Sequence, residues 1–160
     1  MTIEIKRAYD ARARDDGWRV LVERLWPRGM TKSALAADAW LKAVAPSTEL
    51  RKWFGHKVER WEEFRRRYRD ELAANPDAWR PIVEASGAGT VTLLYSARDS
   101  SHNGALVLRE YIRSRDRRRG AGGARPRPRK GTGRSTGARA QRGRHFGTSS
   151  HRRRRRRARP

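Results

Sequence analysis

Cysteine is absent from the chain, and with it go disulfides, thiolate catalysis and cysteine metal sites. No apolar run reaches the roughly 18 to 20 residues that would span a bilayer; TVTLLY is among the longest. The N-terminus lacks the apolar stretch of a signal peptide, so a soluble cytoplasmic protein is expected. There is no Walker motif, no G-x-G-x-x-G and no defensible metal-ligand spacing, so neither a cofactor nor a metal is expected. From Arg113 to Pro160 the chain has no Leu, Ile, Val or Met and a single aromatic, Phe146.

What is present divides along the chain. All six tryptophans and all four tyrosines precede Arg113. From Arg113 on, 20 Lys+Arg stand against one acidic residue, Asp116, which leaves +4 of the total +23 for residues 1–112. The high isoelectric point therefore belongs to a tail. One domain at 1–112 and a tail at 113–160 are expected, because a segment so poor in apolar residues cannot offset its chain entropy and should be disordered. Its six arginines at 152–157 would hold nucleic acid or another polyanion without sequence readout. The tail's Arg, Gly, Ala and Pro are also what GC-rich codons give without selection for a fold, so an altered or read-through carboxyl end is a second account of it.

Within the first part, TIEIKR and WRVLVERLW alternate with period two and read as strands, the second ending at Pro27 and Gly29. Residues 33–44 fit helix and strand equally. Ser47 and Gly55 bracket a short helix from about Thr48 to Phe54. Val58, Trp61, Phe64, Tyr68 and Leu72 form one helical stripe, with Glu62–Arg66 and Glu63–Arg67 expected as ion pairs on the polar side. Five acidic residues share that helix with RRRYR, which argues for a solvated face rather than a nucleic-acid stripe. Asn75-Pro76 starts another helix, which Pro81 should kink or shorten. TVTLLYS reads as a central strand covered on both faces, and His102 to Ile112 as a last helix capped by Ser100 or Ser101. The fold class is α/β: a small single domain with a mostly parallel sheet flanked by helices.

Polar groups concentrate at three breaks, RLWPRG, APSTELRKWFGH and YSARDSSHN. In open α/β sheets ligands bind beyond the carboxyl ends of strands, which makes convergence of these loops the working expectation. Arg24, Arg28 and Arg98 are candidate anchors for a phosphate or carboxylate, because guanidinium groups bind such anions bidentately. Ser47, Tyr95 and Asn103 are further ligand-contact candidates. His56 and His102 have the side-chain type suited to proton transfer near neutrality, with Asp99 placed either to orient His102 or to cap the last helix. The structural alternatives are plain: Arg24 and Arg28 paired with carboxylates or stacked on Trp26, Ser47 as a cap, and the histidines bonded locally. Functionally, a small anion-binding protein is favoured over a nucleic-acid module acting through its basic surface and tail, and over an interaction protein without an active site.

The strings WRVLVERLWPRG, APSTELRKWFGH, WEEFRRRYRDEL and VTLLYSARDSSHN, in this order and spacing, resemble the YeaO-like family of small bacterial proteins, domain-of-unknown-function family 488. The resemblance spans about Ile3 to Ile112 and excludes the tail. It implies a compact α/β fold in a cytosolic protein and carries over no catalytic role. A more distant branch has a cysteine-and-histidine pattern after the last strand, where this chain shows Tyr95, Ser96 and His102 and no cysteine.

Overall fold

The order of elements is β1 (Thr2–Arg7), β2 (Trp18–Leu21), α1 (Lys32–Leu35), β3 (Ala39–Trp40), α2 (Thr48–Phe54), α3 (Trp61–Ala74), α4 (Pro76–Ala88), β4 (Thr90–Tyr95) and α5 (Gly104–Ala121), with 3₁₀ turns at Lys42–Val44 and Val58–Arg60. The computed structural model describes residues 1–121, and side chains to Arg118. Most of the tail anticipated from composition therefore lies outside the described residues. Its first part does not: Arg113–Ala121 continue α5, and an Arg113 Nη donates to the carbonyl of Ile3 at 2.6 Å.

The four strands form one sheet in the order β1-β4-β2-β3, every pairing parallel. Central β4 pairs with β1 from Thr2↔Thr90 to Arg7↔Tyr95 and with β2 from Trp18↔Val91 to Leu21↔Leu94. Val91 to Tyr95 are all buried, as a near-continuous apolar run in a sheet covered on both faces requires. Val91, Leu93 and Tyr95 join Ile3, Val20 and Val22 beneath Phe54, Phe64, Tyr68, Ile82 and Leu108 of the helices. Leu21 and Leu94 point the other way, into a smaller cluster with Ala8, Leu35, Trp26 and Trp40.

Residues 33–44, which fit helix and strand equally, contain both: the one-turn α1, the two-residue β3 and a 3₁₀ turn. In α2, Ser47 Oγ accepts from the Leu50 N–H at 3.1 Å, and Gly55 ends the helix at φ 53°. Along α3, Phe64, Tyr68 and Leu72 are buried, but Val58 falls in the preceding turn and is 57% exposed. The expected Glu62–Arg66 pair does not form. Arg66 instead reaches Glu63 at 2.6 Å and Asp70 at 3.4 Å, while Glu62 takes Arg65. Hydrogen bonds from Arg66 and Arg67 hold the Glu63 carboxyl down at about 2. Pro81 neither ends nor shortens α4, which runs seven residues further to Ala88. The single backbone bond it forfeits is offset by burial of Ile82 and packing of Trp79 and Val83 on the core.

Beneath the second face lies an ionic cluster. Arg19, fully buried on β2, donates to Asp16 and to the carbonyls of Leu35 at 3.0 Å and Ala36 at 3.1 Å. Lys6 Nζ reaches the same carboxylate at 2.8 Å. Burial alone would raise the Asp16 carboxyl, but hydrogen bonds from Lys6, the Ala13 N–H and Arg19 outweigh it and lower it from 3.8 to about 2. A depressed carboxyl contributes stability that is present above its unfolded value and lost as pH falls through the folded one. Urea unfolding should therefore show about 2 kcal/mol lost between roughly pH 4 and pH 2 through this group, a slope that Asp16→Asn removes.

Candidate functional site

Beyond Leu21 the chain of β2 still follows β4, the Val22 N–H donating to the Leu94 carbonyl at 3.3 Å, before the two strands separate. Glu23 closes the gap. Its carboxylate accepts from the Ser96 N–H at 2.9 Å and from the Ser96 hydroxyl at 2.5 Å, and its carbonyl accepts from Trp40 Nε1 at 2.6 Å. Arg24 turns the opposite way, donating through Nε to the Pro46 carbonyl at 3.2 Å and through Nη2 to that of Ala45 at 3.4 Å. These bonds draw the 45–47 loop and α2 over the carboxyl ends of β2 and β4.

The result is a cleft of about 160 Å³. Its polar lining is Glu23, Arg24, Arg51, His56, Ser96 and Asn103; Val22, Leu25, Phe54, Phe64 and Ala97 supply apolar walls, and the first residues of α5, Gly104 and Ala105, close one side. Arg51 comes from α2, one turn before Phe54. His56 follows Gly55 in a second left-handed residue, φ 57°, with its ring tilted against Phe54 at 5.7 Å. Phe54 in turn stacks on Phe64 with centroids 4.3 Å apart. The amino end of α5 adds partial positive charge from N–H groups that lack intrahelical acceptors.

Of the residues singled out by sequence, Arg24, His56 and Asn103 line this cleft. Asn103 is committed to structure: its Oδ1 caps α5 through the Leu106 N–H at 3.0 Å and its Nδ2 bonds the carbonyls of Asp99 and Ser100. It takes the capping place expected of Ser100 or Ser101. Ser47 caps α2 and lines a neighbouring cavity with Arg24, Tyr68 and Glu71. Tyr95 is buried beneath the sheet end, its hydroxyl pushed up chiefly by that burial. Arg28 and Arg98 are exposed and do not line the cleft.

His102 lies just outside the lining. Its Nδ1 meets Asp99 Oδ2 at 2.7 Å, and its ring packs edge-on against Trp61 at 5.1 Å. Asp99 orients His102 as considered but does not cap α5, which Asn103 does; its carboxylate instead accepts the N–H groups of Ser101 and His102 in the turn before the helix, and the bond with His102 and then the Ser101 N–H keep its carboxyl below the usual range. Glu23 and Arg51 were not among the sequence candidates. The available signals were faint: a charged pair, Glu23-Arg24, at a strand end, and an arginine three residues from Phe54 on one helical face. Among the described residues no three His, Asp or Glu side chains gather as a metal would require.

Fold and site together define a small, all-parallel α/β domain with a charged cleft at the carboxyl ends of its two inner strands. The chain belongs to the DUF488 family: residues 2–129 match the group described as the inactive DUF488-N3 subclade. It is similar to the uncharacterized protein YeaO of Escherichia coli (strain K12), 45% identical over 114 residues that cover 71% of this chain and 99% of that one. It is 37% identical over 113 residues to the uncharacterized proteins Mb3100c of Mycobacterium bovis and Rv3073c of Mycobacterium tuberculosis, covering 95% of each. No solved structure matches. Among the described residues no helix is long and apolar enough to cross a membrane.

Proposed function

We propose that the chain binds a small molecule bearing a carboxylate or phosphate in the cleft beyond β2 and β4, without turning it over. The observation that carries the reading is that Arg24 and Arg51 line one cleft and neither has a carboxylate partner among the described residues. A guanidinium held by two carbonyls, beside a second one on the facing helix and the amino end of α5, is prepared to receive an anion. Arg51 takes the part that Arg28 and Arg98 were expected to play. Binding is favoured over catalysis because the matching subclade is described as inactive, and because the histidine with an orienting carboxylate, His102, is not part of the lining, while His56, which is, has no carboxylate partner among the described residues.

The reading is tested by the melting temperature of the full chain in phosphate- and carboxylate-bearing metabolites. A ligand at one hundred times its Kd adds about 2.7 kcal/mol, or roughly 10 °C for a domain of this size. Arg51→Ala should abolish the shift while leaving the unliganded midpoint nearly unchanged, since Arg51 is exposed. A full shift in that variant, or no shift with any such compound, overturns the proposal.

A further inference from the structure

Charges of both signs stand unneutralised in the same cleft. The Glu23 carboxylate has no cationic side chain within salt-bridge distance among the described residues; its partners there are the N–H and hydroxyl of Ser96, neither of which carries charge. It is half-buried at the strand ends, where a lone carboxylate is poorly compensated. Burying a carboxylate at a binding surface without a countercharge is costly unless the ligand provides one. Arg24 and Arg51 make the complementary demand for an anion.

From this we infer that the ligand is a zwitterion of amino-acid type, its ammonium group taken by Glu23 and its anionic group by the arginines, with an apolar remainder. The apolar part is required by the walls: the Phe54–Phe64 stack, Val22 and Ala97, and Leu25 at the rim, the most exposed large apolar side chain among the described residues at 58%. The size follows from the volume. About 160 Å³ falls below the roughly 300 to 1,000 Å³ of sites for drug-sized molecules and suits a single amino acid. Both Glu23 oxygens retain acceptor capacity after bonding Ser96, so an ammonium can be added without breaking the clamp. The assignment rests on the anion reading above and adds a second subsite to it.

The experiment compares three probes on the full chain by calorimetry: L-leucine, 4-methylpentanoate, which lacks only the amine, and inorganic phosphate. L-leucine should bind about tenfold or more tightly than 4-methylpentanoate, and Glu23→Gln, which keeps the clamp to Ser96, should reduce L-leucine to the level of 4-methylpentanoate. Equal or tighter binding of 4-methylpentanoate by the unsubstituted chain overturns the ammonium subsite and leaves the anion site standing. Binding of phosphate alone does the same. If none of the three binds, both readings fall.

Discussion

Gly17→Ala should be the most damaging single-methyl change in this fold, costing on the order of 3 kcal/mol or more and lowering the melting temperature by more than about 10 °C. Gly17 sits at φ 62°, and a Cβ built there would fall on the backbone carbonyl oxygen of Thr90. The left-handed conformation alone costs an alanine about 1 to 2 kcal/mol. The overlap adds to that because neither side can yield. Thr90 opens β4 and pairs with Thr2, and the residues on either side of Gly17 are fixed as well: the Asp16 carbonyl accepts from the Thr92 hydroxyl at 2.7 Å, and Trp18 pairs with Val91. Urea unfolding measures the effect directly. A loss below about 1 kcal/mol would mean that the 8–17 loop does not lie against β4 in this way.

Asp16→Asn should cost about 3 to 5 kcal/mol, the range for removing one partner of a buried ion pair. Arg19 cannot shed its proton and would remain fully buried with no carboxylate opposite it, held by the carbonyls of Leu35 and Ala36 and at most one neutral amide oxygen. Arg19→Met should cost less, because Asp16 keeps Lys6 and the Ala13 N–H. Asp16→Leu with Arg19→Met should recover a large part of the loss, since replacing both members of a buried pair with apolar groups is often close to neutral. Two-state unfolding of the unsubstituted chain, Asp16→Leu, Arg19→Met and the double variant closes that cycle. An additive double variant would show that the two side chains do not depend on each other.

The contrast between these two residues and the rest of the fold explains what could be read from the sequence. β4, α2 and the apolar stripe of α3 were legible because their signals are local: a continuous β-branched run, Ser47 and Gly55 at the ends of one short helix, and a three-to-four residue repeat. Arg19 was not, because an arginine alternating with valines in a strand reads as a solvent-facing residue. It is buried here because Gly17 folds Asp16 back beneath it. Pro81 breaks a helix in isolation, but α4 is held by packing on the core. Asn103 rather than a serine caps α5, since the Asp99 turn already engages the N–H groups of Ser101 and His102.

The site was legible to the level of which loops meet, and less so in which side chains they present. The carboxyl ends of β2 and β4 do face the 45–56 segment, as the strand-end argument anticipated, and Arg24 and His56 share the cleft. Arg28 and Arg98 lie on the same loops but turn outward, a matter of backbone direction that residue type does not reveal. Glu23 was hidden because its partner Ser96 is 73 residues away, and only the parallel pairing of β2 with β4 brings the two together.

The most direct test of the cleft as a binding site is a nuclear magnetic resonance titration of the full chain with L-leucine. It should follow the Nε–Hε signals of the arginines and the backbone amides. The signals of Arg24, Arg51, Ser96 and Gly104 should shift together and saturate with one Kd, while those of the arginines after residue 121 should not shift. Shifts confined to those later arginines, growing without saturation and vanishing with salt, would contradict it.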